Sequence, residues 1–460
     1  MSRLCAILYL PIPFRRVQYA IMDMFSPHKI WIWLVIVVYV LVATLYAIYT
    51  PLWQVPDEPA HYNYVRALAE EGRFPIIEPG DYDQAYLTRL TTEKFPPGLS
   101  IRPLEYEDHQ PPLYYLLATP AYRLFAGRVL PIRMLSVLFG IGLLIAAFQT
   151  VRTLFPQQPG LAVLTASFIA FIPQHVAMSA GINNDLLAEC IVASTLWALV
   201  RYVQRKDDPR PPWTVGLLVA IALLTKTTAY VVVVVAALAV VLRGWQEQPD
   251  GRWWRRHILA ILVPPVLIAA PWFIRNGCVY GWNDPLGLAR HNAIVENQPL
   301  SSEWLARYGW AGLLGRAIQT TFQSFWGQFG WMAIVLPRPL YVLLLGFSAL
   351  AGGGFLGWAG DRRRPRLDWP TCAGLMLLAT SATLTFLSFV WYNLTFVQHQ
   401  GRYLFPALVP IGLAVALGLV WLSQWVPGRW RRWVLAGLPV GMVSLDIYCL
   451  FRFILPYLTR

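Results

Sequence analysis

The residues best suited to chemistry lie just after the first hydrophobic segment, where the chain reads Val55-Pro56-Asp57-Glu58-Pro59-Ala60-His61. Two adjacent carboxylates follow a membrane-spanning sequence here, and an imidazole comes shortly after them. An ionised carboxylate can accept a proton from an incoming nucleophile, which makes Asp57 the candidate general base. The alternative is that Asp57 only caps the helix that begins at this point, because aspartate is common at N-caps.

Other polar side chains that do not orient the chain in a membrane also border apolar segments. Carboxylates can hold or accept protons, whereas Lys and Arg can hold a phosphate and stabilise charge on a leaving group. Such groups together at one membrane face suit a lipid-linked phosphate substrate. The candidates after the first cluster are Glu107, Asp108, His109, Asp185, Lys226, Gln400 and Arg402.

Each candidate also has a structural interpretation. Glu107 and Asp108 could be solvated loop acids, and Asp185 could be the N-cap of a helix. Lys226, between two apolar runs, needs a charged partner or must reach the membrane interface along its alkyl chain. Arg402 begins a span on the outer side, against the usual charge bias, which favours a bound anion there.

The composition is that of a polytopic membrane protein. Apolar residues make up 57% of the 460 residues and charged residues 13%, about half the charged fraction of soluble domains. The net charge of +13 lies mostly in short clusters between hydrophobic runs, which orients membrane helices and excludes nucleic-acid binding as its explanation. The five cysteines have neither metal-ligand nor disulfide-framework spacing.

The hydrophobic pattern predicts an all-α protein with about eleven membrane-spanning helices. A span needs ~20 apolar residues, and the runs around Lys226 are short, so 213–242 is either two spans or one broken helix. Asp446 lies deep in the last span, where we expect it to pair within the bundle. The predicted spans are 30–49, 133–151, 161–180, 186–202, 215–225, 230–242, 258–274, 340–358, 372–392, 403–424 and 434–455.

Charge asymmetry orients these spans. Basic residues in the segment 1–29 place the N-terminus in the cytoplasm, and the arginine-rich loops near 201–210, 243–256, 362–366 and 429–432 then lie on the same side. The chain divides into that cytoplasmic segment, a first span, an external loop, spans two to seven, a second external region and four last spans. Their ranges are 1–29, 30–49, 50–132, 133–274, 275–337 and 338–460.

Two helices in the first external loop are predicted to lie in the membrane interface. The first begins at Asp57 and ends near Gly72, a residue suited to a helix C-terminus. The second runs over 111–125, where several prolines argue against a full span. A span there would also turn the arginine-rich loops outward. The aromatic stretch 322–331 in the second external region is typical of the interface as well.

These motifs resemble those of the C-type (GT-C) membrane glycosyltransferases. Pro56-Asp57-Glu58 with His61 is similar to their acidic first-loop motif, and His109-Gln110-Pro111-Pro112-Leu113-Tyr114-Tyr115 matches the motif of their second interfacial helix. Asn184-Asp185-Leu186-Leu187 and Leu224-Thr225-Lys226 resemble the superfamily too. Gln400-Gly401-Arg402-Tyr403-Leu404-Phe405-Pro406 is similar to a largely uncharacterised bacterial branch. Protein mannosyltransferases and lipid A aminoarabinose transferases lie nearby.

The resemblance implies transfer of one sugar from a polyprenyl-phosphate carrier to a glycan, lipid or protein acceptor at the outer face of a bacterial plasma membrane. The acceptor hydroxyl attacks the anomeric carbon and inverts it. Asp57 receives the hydroxyl proton, and Lys226 and Arg402 balance the phosphate charge. The residues expected to contact substrate are Glu58, His61, Glu107, Asp108, His109, Asp185, Lys226, Gln400, Arg402 and Tyr403.

The mechanism itself requires no cofactor, but the i,i+3 spacing of Glu58 and His61 leaves a divalent metal site open. One geometric condition applies: a common pocket requires Asp57 to lie within ~15 Å of Lys226 and Arg402, a distance well above the screening length in salt.

Other functions fit the same sequence less well. A lipid-linked sugar transporter or flippase would place its polar groups near the bilayer midplane, commonly with inverted repeats, whereas here they gather at the outer side. A non-catalytic assembly factor would give Asp57, Lys226 and Arg402 no joint purpose. An oligosaccharide ligase or polymerase would keep the lipid-linked donor and change only the size of the transferred sugar.

Overall fold

The protein is almost entirely helical over the residues that the computed structural model describes, which are 27–205, 210–295, 297–362 and 366–459. This confirms the predicted all-α class. The predicted cytoplasmic segment 1–29 lies almost wholly outside the described residues, and so do Lys206, Arg363 and Arg364 of the predicted cytoplasmic loops.

Most of the described chain belongs to nineteen α-helices, and the segment 93–112 is a long irregular connection between two of them. In chain order they are α1 Pro27–Tyr49, α2 Glu58–Glu70, α3 Gln84–Thr92, α4 Leu113–Leu124, α5 Val129–Leu154, α6 Pro159–Ala170, α7 Pro173–Ser179, α8 Asp185–Gln204, α9 Trp213–Leu223, α10 Val231–Glu247, α11 Gly251–Ile268, α12 Ala270–Tyr280, α13 Leu288–Ile294, α14 Ser301–Trp326, α15 Arg338–Gly360, α16 Trp369–Asn393, α17 Leu408–Leu422, α18 Gly428–Cys449 and α19 Leu455–Leu458.

Shorter elements complete the described chain. Tight 3₁₀ turns cover Thr227–Tyr230, Gly401–Ala407 and Ser423–Trp425, and a π-helical turn covers Leu450–Ile454. A small antiparallel hairpin pairs β1 Gln328–Phe329 with β2 Ile334–Val335. The 3₁₀ turn at Gly401–Ala407 is the one that reaches the candidate site.

Ten of the eleven predicted membrane spans correspond to helices or bent helix pairs that could cross a membrane, whereas the predicted span 215–225 corresponds to the shorter helix α9. Among the described residues, 8 helices are long and apolar enough to cross a membrane, and two bent pairs raise this number to 10. The bends are 68° between α6 and α7 and 49° between α11 and α12, where single spans 161–180 and 258–274 were predicted. Prolines explain the bends, because Pro173 and Pro271 stand in the first turns of α7 and α12.

The region 213–242 forms two helices rather than one broken helix. Helix α9 has 11 residues, about 17 Å of helix, which is too short for a hydrocarbon core of ~30 Å. It packs mainly against α11 and α8, whereas α10 packs against α16 and α8. Both helices contact α8, but their main partners differ, so Lys226 lies at the connection between two distinct helices.

Small residues let the spans pack closely. A Cβ atom on Gly418 would lie 2.1 Å from the carbonyl oxygen of Ala351, and one on Gly354 would lie 2.5 Å from that of Gly418. Glycine is therefore required at this crossing of α15 and α17, as in other membrane helix pairs whose backbones touch. The main apolar core is continuous through α1, α5, α6 and α8.

Both helices predicted between the first and second spans are present, and their location in the membrane interface remains a prediction. Helix α2 and helix α4 match the expected ranges closely and pack together through Tyr64 and Tyr115, whose rings stack with centroids 3.7 Å apart. Helix α3 was not predicted; it is capped by Asp83, whose side chain accepts hydrogen bonds from two backbone amides. The long helix α14 fills much of the second external region and was likewise not predicted.

A buried ion pair holds the start of α2 against the first residues of α5. Arg133 donates from Nε and from one terminal nitrogen to the two oxygens of Glu58, each over 2.7 Å, and neither side chain is more than 2% exposed. Glu58 also accepts from the amides of Trp53 and Ile182. Glu58 is thus fully engaged within the protein, although a substrate contact was predicted for it.

Arg133 completes the connection by donating to backbone carbonyls at the end of α1. It reaches the carbonyl oxygen of Ala47 at 2.9 Å, that of Thr50 at 2.7 Å and that of Pro51 at 3.1 Å. One guanidinium therefore joins three stretches of chain that are distant in sequence or in different helices. Asp57 precedes Glu58 directly, so the same pair fixes the position of the candidate base.

The expected pairing of Asp446 in the last span is wrong. Both of its carboxyl oxygens are buried and have no hydrogen-bond partner among the described residues. Its backbone carbonyl accepts a hydrogen bond of 2.8 Å from the Tyr46 hydroxyl, which ties α18 to α1.

Replacing Arg133 by Ala should lower the free energy of unfolding by ~3–5 kcal/mol, because it leaves a buried carboxylate without a partner. Thermal unfolding in detergent would measure the loss. The matched control is Arg66→Ala, which breaks the partly exposed pair with Glu105 and should cost about 1 kcal/mol or less. Equal losses in both variants would contradict this role of Arg133.

Candidate active site

Asp57 has a strained backbone and a side chain turned away from its own helix. Its φ and ψ angles are 66° and −3°, in the left-handed region, and its carboxylate makes no capping hydrogen bond. The capping interpretation is therefore wrong. A left-handed aspartate costs of order 1–3 kcal/mol and persists only where its surroundings fix it. Here the next residue, Glu58, is fixed by Arg133.

The carboxylate of Asp57 receives two hydrogen bonds from other parts of the chain. Arg402 donates to one oxygen over 2.5 Å and the Tyr106 hydroxyl donates to the other over 3.0 Å. The Asp57 side chain is 24% exposed and that of Arg402 is 7% exposed. The pair is therefore accessible from one side, and that side opens on a cavity.

This cavity of about 200 Å³ lies where the segments 50–132 and 275–337 meet the 3₁₀ turn before α17. It contains two carboxylates, one guanidinium, several amides and a group of aromatic rings. This lining can form many hydrogen bonds and can also pack against the apolar face of a ring. The walls include Asp57, Glu107 and Arg402; Gln84, Gln298, Gln398 and Gln400; and Tyr82, Tyr106, Trp331, Tyr392 and Tyr403.

The close packing of Gly401 against α14 positions the next residue, Arg402, so that its side chain reaches Asp57. A Cβ atom on Gly401 would lie 2.3 Å from the backbone nitrogen of Phe325, so only glycine fits against α14. The Gly401 amide donates to the Ser324 hydroxyl over 2.7 Å. The guanidinium then points across the cavity wall, and its Nε is buried without a hydrogen-bond partner in the described part of the chain.

Opposing effects set the pKa of Asp57. Burial alone would raise it, but the charge and hydrogen bond of Arg402 outweigh burial, with smaller contributions from His61 and Tyr106. The pKa of this carboxyl therefore lies below its ordinary value of 3.8. Asp57 is ionised at neutral pH and can accept a proton, but its pairing with Arg402 makes it a weak base.

A second ion pair lies outside the walls of the cavity. Lys226 donates to the side-chain oxygens of Asn184 over 2.8 Å and of Asp185 over 2.5 Å. Burial would lower the pKa of Lys226, but the charges of Asp185 and Glu107 outweigh burial and raise it. Asp185 is in the first turn of α8 and pairs with Lys226 instead of capping the helix. The lysine thus has a charged partner.

His61 is held in its neutral form by burial. Its Nδ1 is 2.8 Å from the Tyr115 hydroxyl. Burial and the charge of Lys226 lower the pKa of His61, against the opposing effects of Glu107 and Asp57. The charges of Asp57, Glu107, Asp185 and Lys226 are all close enough to act on this imidazole, so the two polar layers form one cluster.

Glu58 and His61, whose spacing leaves a divalent metal site open, each have another partner in the structure. Glu58 is bound to Arg133 and His61 to Tyr115. Among the residues described, no group of three or more His, Cys, Asp or Glu side chains could hold a metal ion.

Asp108 and His109 support the loop behind the cavity. Burial and the neighbouring carboxylates of Glu105 and Asp81 raise the pKa of Asp108 well above its ordinary value. His109 Nδ1 lies 3.2 Å from the Tyr106 carbonyl, and its ring is 4.4 Å from that of His291. Burial and His291 lower the pKa of His109.

Five of the predicted site residues line the cavity and six lie outside it. The five are Asp57, Glu107, Gln400, Arg402 and Tyr403; the six are Glu58, His61, Asp108, His109, Asp185 and Lys226. Substrate contact remains a prediction for all of them. A common pocket requires Asp57 to lie near both Arg402 and Lys226. Asp57 is hydrogen-bonded to Arg402. Lys226 belongs to the same charged cluster, because Lys226 and Asp57 both act on His61.

Sequence reasoning missed most of the uncharged lining. Gln84 belongs to α3, which the N-cap pattern at Asp83 could have revealed. Gln298 gives no comparable signal, because it precedes α14 in an irregular stretch. It reaches the cavity since residues 299–301 pair with residues 395–397 through backbone hydrogen bonds.

Comparison with known proteins identifies the fold. Residues 109–274 match the family described as dolichyl-phosphate-mannose-protein mannosyltransferase. No curated protein matches the chain by sequence. Among solved structures, ArnT from Cupriavidus metallidurans bound to undecaprenyl phosphate matches with 16% identity and a TM-score of 0.50, over 93% of this chain and 74% of ArnT. The oligosaccharyltransferase of Archaeoglobus fulgidus in its apo form matches with 15% identity and a TM-score of 0.52.

The archaeal match covers 94% of this chain and 56% of the oligosaccharyltransferase, so this chain spans little more than half of that protein's length. The protein has the GT-C fold, as its motifs predicted. On that fold, the family match indicates a GT-C membrane glycosyltransferase. The predicted enzyme class is confirmed at this level.

Asp57→Asn should destabilise the protein at neutral pH, because it leaves the buried Arg402 without its counter-charge. A carboxyl with a lowered folded-state pKa contributes stability above its unfolded pKa of ~3.9, and that stability is lost as pH falls through the folded value. The difference in melting temperature between wild type and variant should therefore shrink below about pH 4. Thermal scans across this range would measure it, and a difference that stays constant would contradict the pairing.

Proposed function

We propose that this protein moves one sugar from a polyprenyl-phosphate carrier to an acceptor hydroxyl at the external face of the membrane, with inversion at the anomeric carbon. One observation carries the proposal: Asp57 and Arg402, 345 residues apart in sequence, meet at the wall of one small cavity. Their two chemistries are those that the reaction needs, a proton acceptor and a phosphate-binding cation.

The reaction is a single displacement. The acceptor hydroxyl oxygen forms a bond to the anomeric carbon while the bond from that carbon to the phosphate oxygen breaks. The bonding electron pair leaves with the polyprenyl phosphate, and the hydroxyl proton passes to the Asp57 carboxylate. Phosphate is a good leaving group, so the transition state needs charge stabilisation from Arg402 more than it needs a general acid.

Arg402 holds Asp57 in the free protein and is also the cation that a donor phosphate would meet at the cavity wall. Its Nε is buried and has no hydrogen-bond partner in the described structure, so a guanidinium that turns toward a phosphate gives up no hydrogen bond at this atom. A phosphate that draws the guanidinium toward itself weakens the Arg402–Asp57 pair. The pKa of Asp57 then rises, since Arg402 is the main reason for its low value. Donor binding thus strengthens the base.

The size of the cavity favours a single sugar over an oligosaccharide. A cavity of ~150 Å³ holds one benzene molecule, so about 200 Å³ accommodates one sugar ring with its hydroxyl groups. Aromatic rings and amides in the walls suit such a ligand. The solved ArnT structure binds undecaprenyl phosphate, and its fold is the fold of this chain, which supports a polyprenyl phosphate as the carrier.

The charge pattern along the helices supports an external site. Asp185 begins α8 at the end near the cavity, whereas Arg201 is in its last turn. Helix α10 begins after the turn that contains Lys226 and carries Arg243 toward its other end. The basic residues thus concentrate at the ends away from the site, as expected for cytoplasmic ends.

Purified protein incubated with a panel of polyprenyl-phosphate monosaccharides should consume at least one of them. Asp57→Asn should slow that reaction by roughly 10²- to 10⁴-fold, the usual contribution of a general base. The same variant should bind the carrier phosphate at least as tightly as wild type, because Arg402 is released. Full activity in this variant would remove Asp57 from the mechanism.

Arg402→Ala should weaken the binding of the polyprenyl-phosphate donor by roughly 10- to 100-fold, the effect of losing a hydrogen bond to a charged group. Equilibrium binding of the donor would measure this. Glu105→Gln is the matched control, because Glu105 pairs with Arg66 away from the cavity, and it should leave donor affinity unchanged. Unchanged affinity in Arg402→Ala would contradict the phosphate role.

The acidic limb of the pH–rate profile should differ between free and donor-bound enzyme. The kcat/KM profile reports the free enzyme, in which the pKa of Asp57 lies below 3.8. The kcat profile reports the complex, in which the phosphate competes for Arg402, so its acidic limb should lie at higher pH. Initial rates over the acidic range would measure both limbs. Limbs at the same pH would contradict the exchange of Arg402 between Asp57 and phosphate.

A further inference from the structure

Of the two carboxylates that line the cavity, Asp57 is paired with Arg402, whereas Glu107 has no cationic partner among the described residues. Four other carboxylates of the site and its surroundings each have a basic partner within 2.9 Å. These pairs are Asp57–Arg402, Glu58–Arg133, Asp185–Lys226 and Glu189–His175. Within the described ranges of the chain, Glu107 takes part in no ion pair, and its Oε2 is buried without a hydrogen-bond partner.

Hydrogen bonds hold the loop that carries Glu107 in place. Glu107 therefore lacks a cationic partner in a well-ordered segment, not in a loop that moves freely in solvent. The Tyr106 hydroxyl donates to Asp57, and the Gln110 amide donates to the Glu107 carbonyl over 2.9 Å. The Asp108 amide donates to the Glu105 carbonyl over 3.1 Å. Glu107 lines the cavity next to these anchors, which rules out the interpretation of a freely solvated loop acid.

A buried carboxylate oxygen without a donor is costly, because its desolvation is not offset by a hydrogen bond. A ligand that fills the cavity with O–H or N–H groups would offset that cost. The phosphate end of a donor does not fit this role, because its negative charge would be repelled by Glu107 and attracted by Arg402. The two residues therefore divide the cavity walls into an acidic part and a basic part.

We propose that Glu107 accepts a hydrogen bond from a hydroxyl or amino group of the transferred sugar and thereby selects which monosaccharide the protein uses. The proposal rests on the proposed function. Arg402 holds the phosphate, Asp57 receives the acceptor proton, and Glu107 fixes the sugar ring between them. Because a site that hydrogen-bonds a substrate group rejects analogues without it, one carboxylate is enough to discriminate between sugars of the same size.

The test compares wild type, Glu107→Gln and the control Glu105→Gln, using polyprenyl-phosphate monosaccharides with and without single hydroxyl groups and with amino groups in their place. Donor binding is measured without acceptor, so that contacts to the acceptor do not contribute. Wild type should bind its preferred donor roughly 10- to 100-fold more tightly than the analogue that lacks the recognised group. Glu107→Gln should lose most of that discrimination.

Binding of polyprenyl phosphate without a sugar provides the check on folding. Glu105→Gln should bind it as wild type does, because Glu105 lies away from the cavity. Glu107→Gln should bind it at least as tightly as wild type, because the variant keeps Arg402 and loses the negative charge that repels a phosphate. A preference for an amino donor over a hydroxyl donor would identify the recognised group as an ammonium, and the reverse preference would identify a hydroxyl.

Two results would overturn the proposal in distinguishable ways. If wild type uses a donor from the panel and Glu107→Gln discriminates among analogues as wild type does, Glu107 does not select the sugar while the proposed function stands. If wild type neither binds nor consumes any polyprenyl-phosphate sugar, the proposed function fails and this inference fails with it.

Discussion

The buried pair of Glu58 and Arg133 is the constraint on which the site depends. Its two short hydrogen bonds, and those from Arg133 to carbonyls at the end of α1, join α1, α2 and α5 at one point. A buried pair of this kind contributes little net stability compared with apolar packing, but losing one partner is costly. Its consequence is geometric: Asp57 stays in a left-handed conformation that directs its side chain toward Arg402.

Charge compensation organises the polar cluster around that point. Asp57 and Asp185 each have a cation from a distant segment, and the two pairs lie in adjacent layers. In this arrangement the base is ionised but weak, because Arg402 stabilises its charged form. In the proposed reaction, a donor phosphate that engages Arg402 changes this balance, so that donor binding and proton transfer both depend on one guanidinium. Glu107 has no such cation in the described structure, and its Oε2 has no hydrogen-bond partner there.

The helical elements follow from local sequence more directly than the cavity does. Helices α2 and α4 were predicted close to their observed bounds, because capping residues, prolines and apolar patterns are local signals. The roles of Glu58 and Lys226 were predicted less well. Glu58 is bound to Arg133 and Lys226 to Asp185, and neither partner was identified from the sequence, while the substrate contacts expected of both remain predictions. The sequence shows that a buried charge needs a partner, but a partner distant in sequence has no local signal.

The sequence by itself determined the membrane class, the order of the spans, the external loop helices and the GT-C resemblance. These features depend on the length of hydrophobic segments, the positions of prolines and the order of motifs, all of which can be read directly from the sequence. Only the tertiary structure decided which acid meets which base. Arg402 reaches Asp57, and Gln298 reaches Gln398, through packing between segments far apart in sequence. Contacts of that kind depend on side-chain volumes and on glycine positions such as Gly401, whose fit against α14 can be judged only in three dimensions.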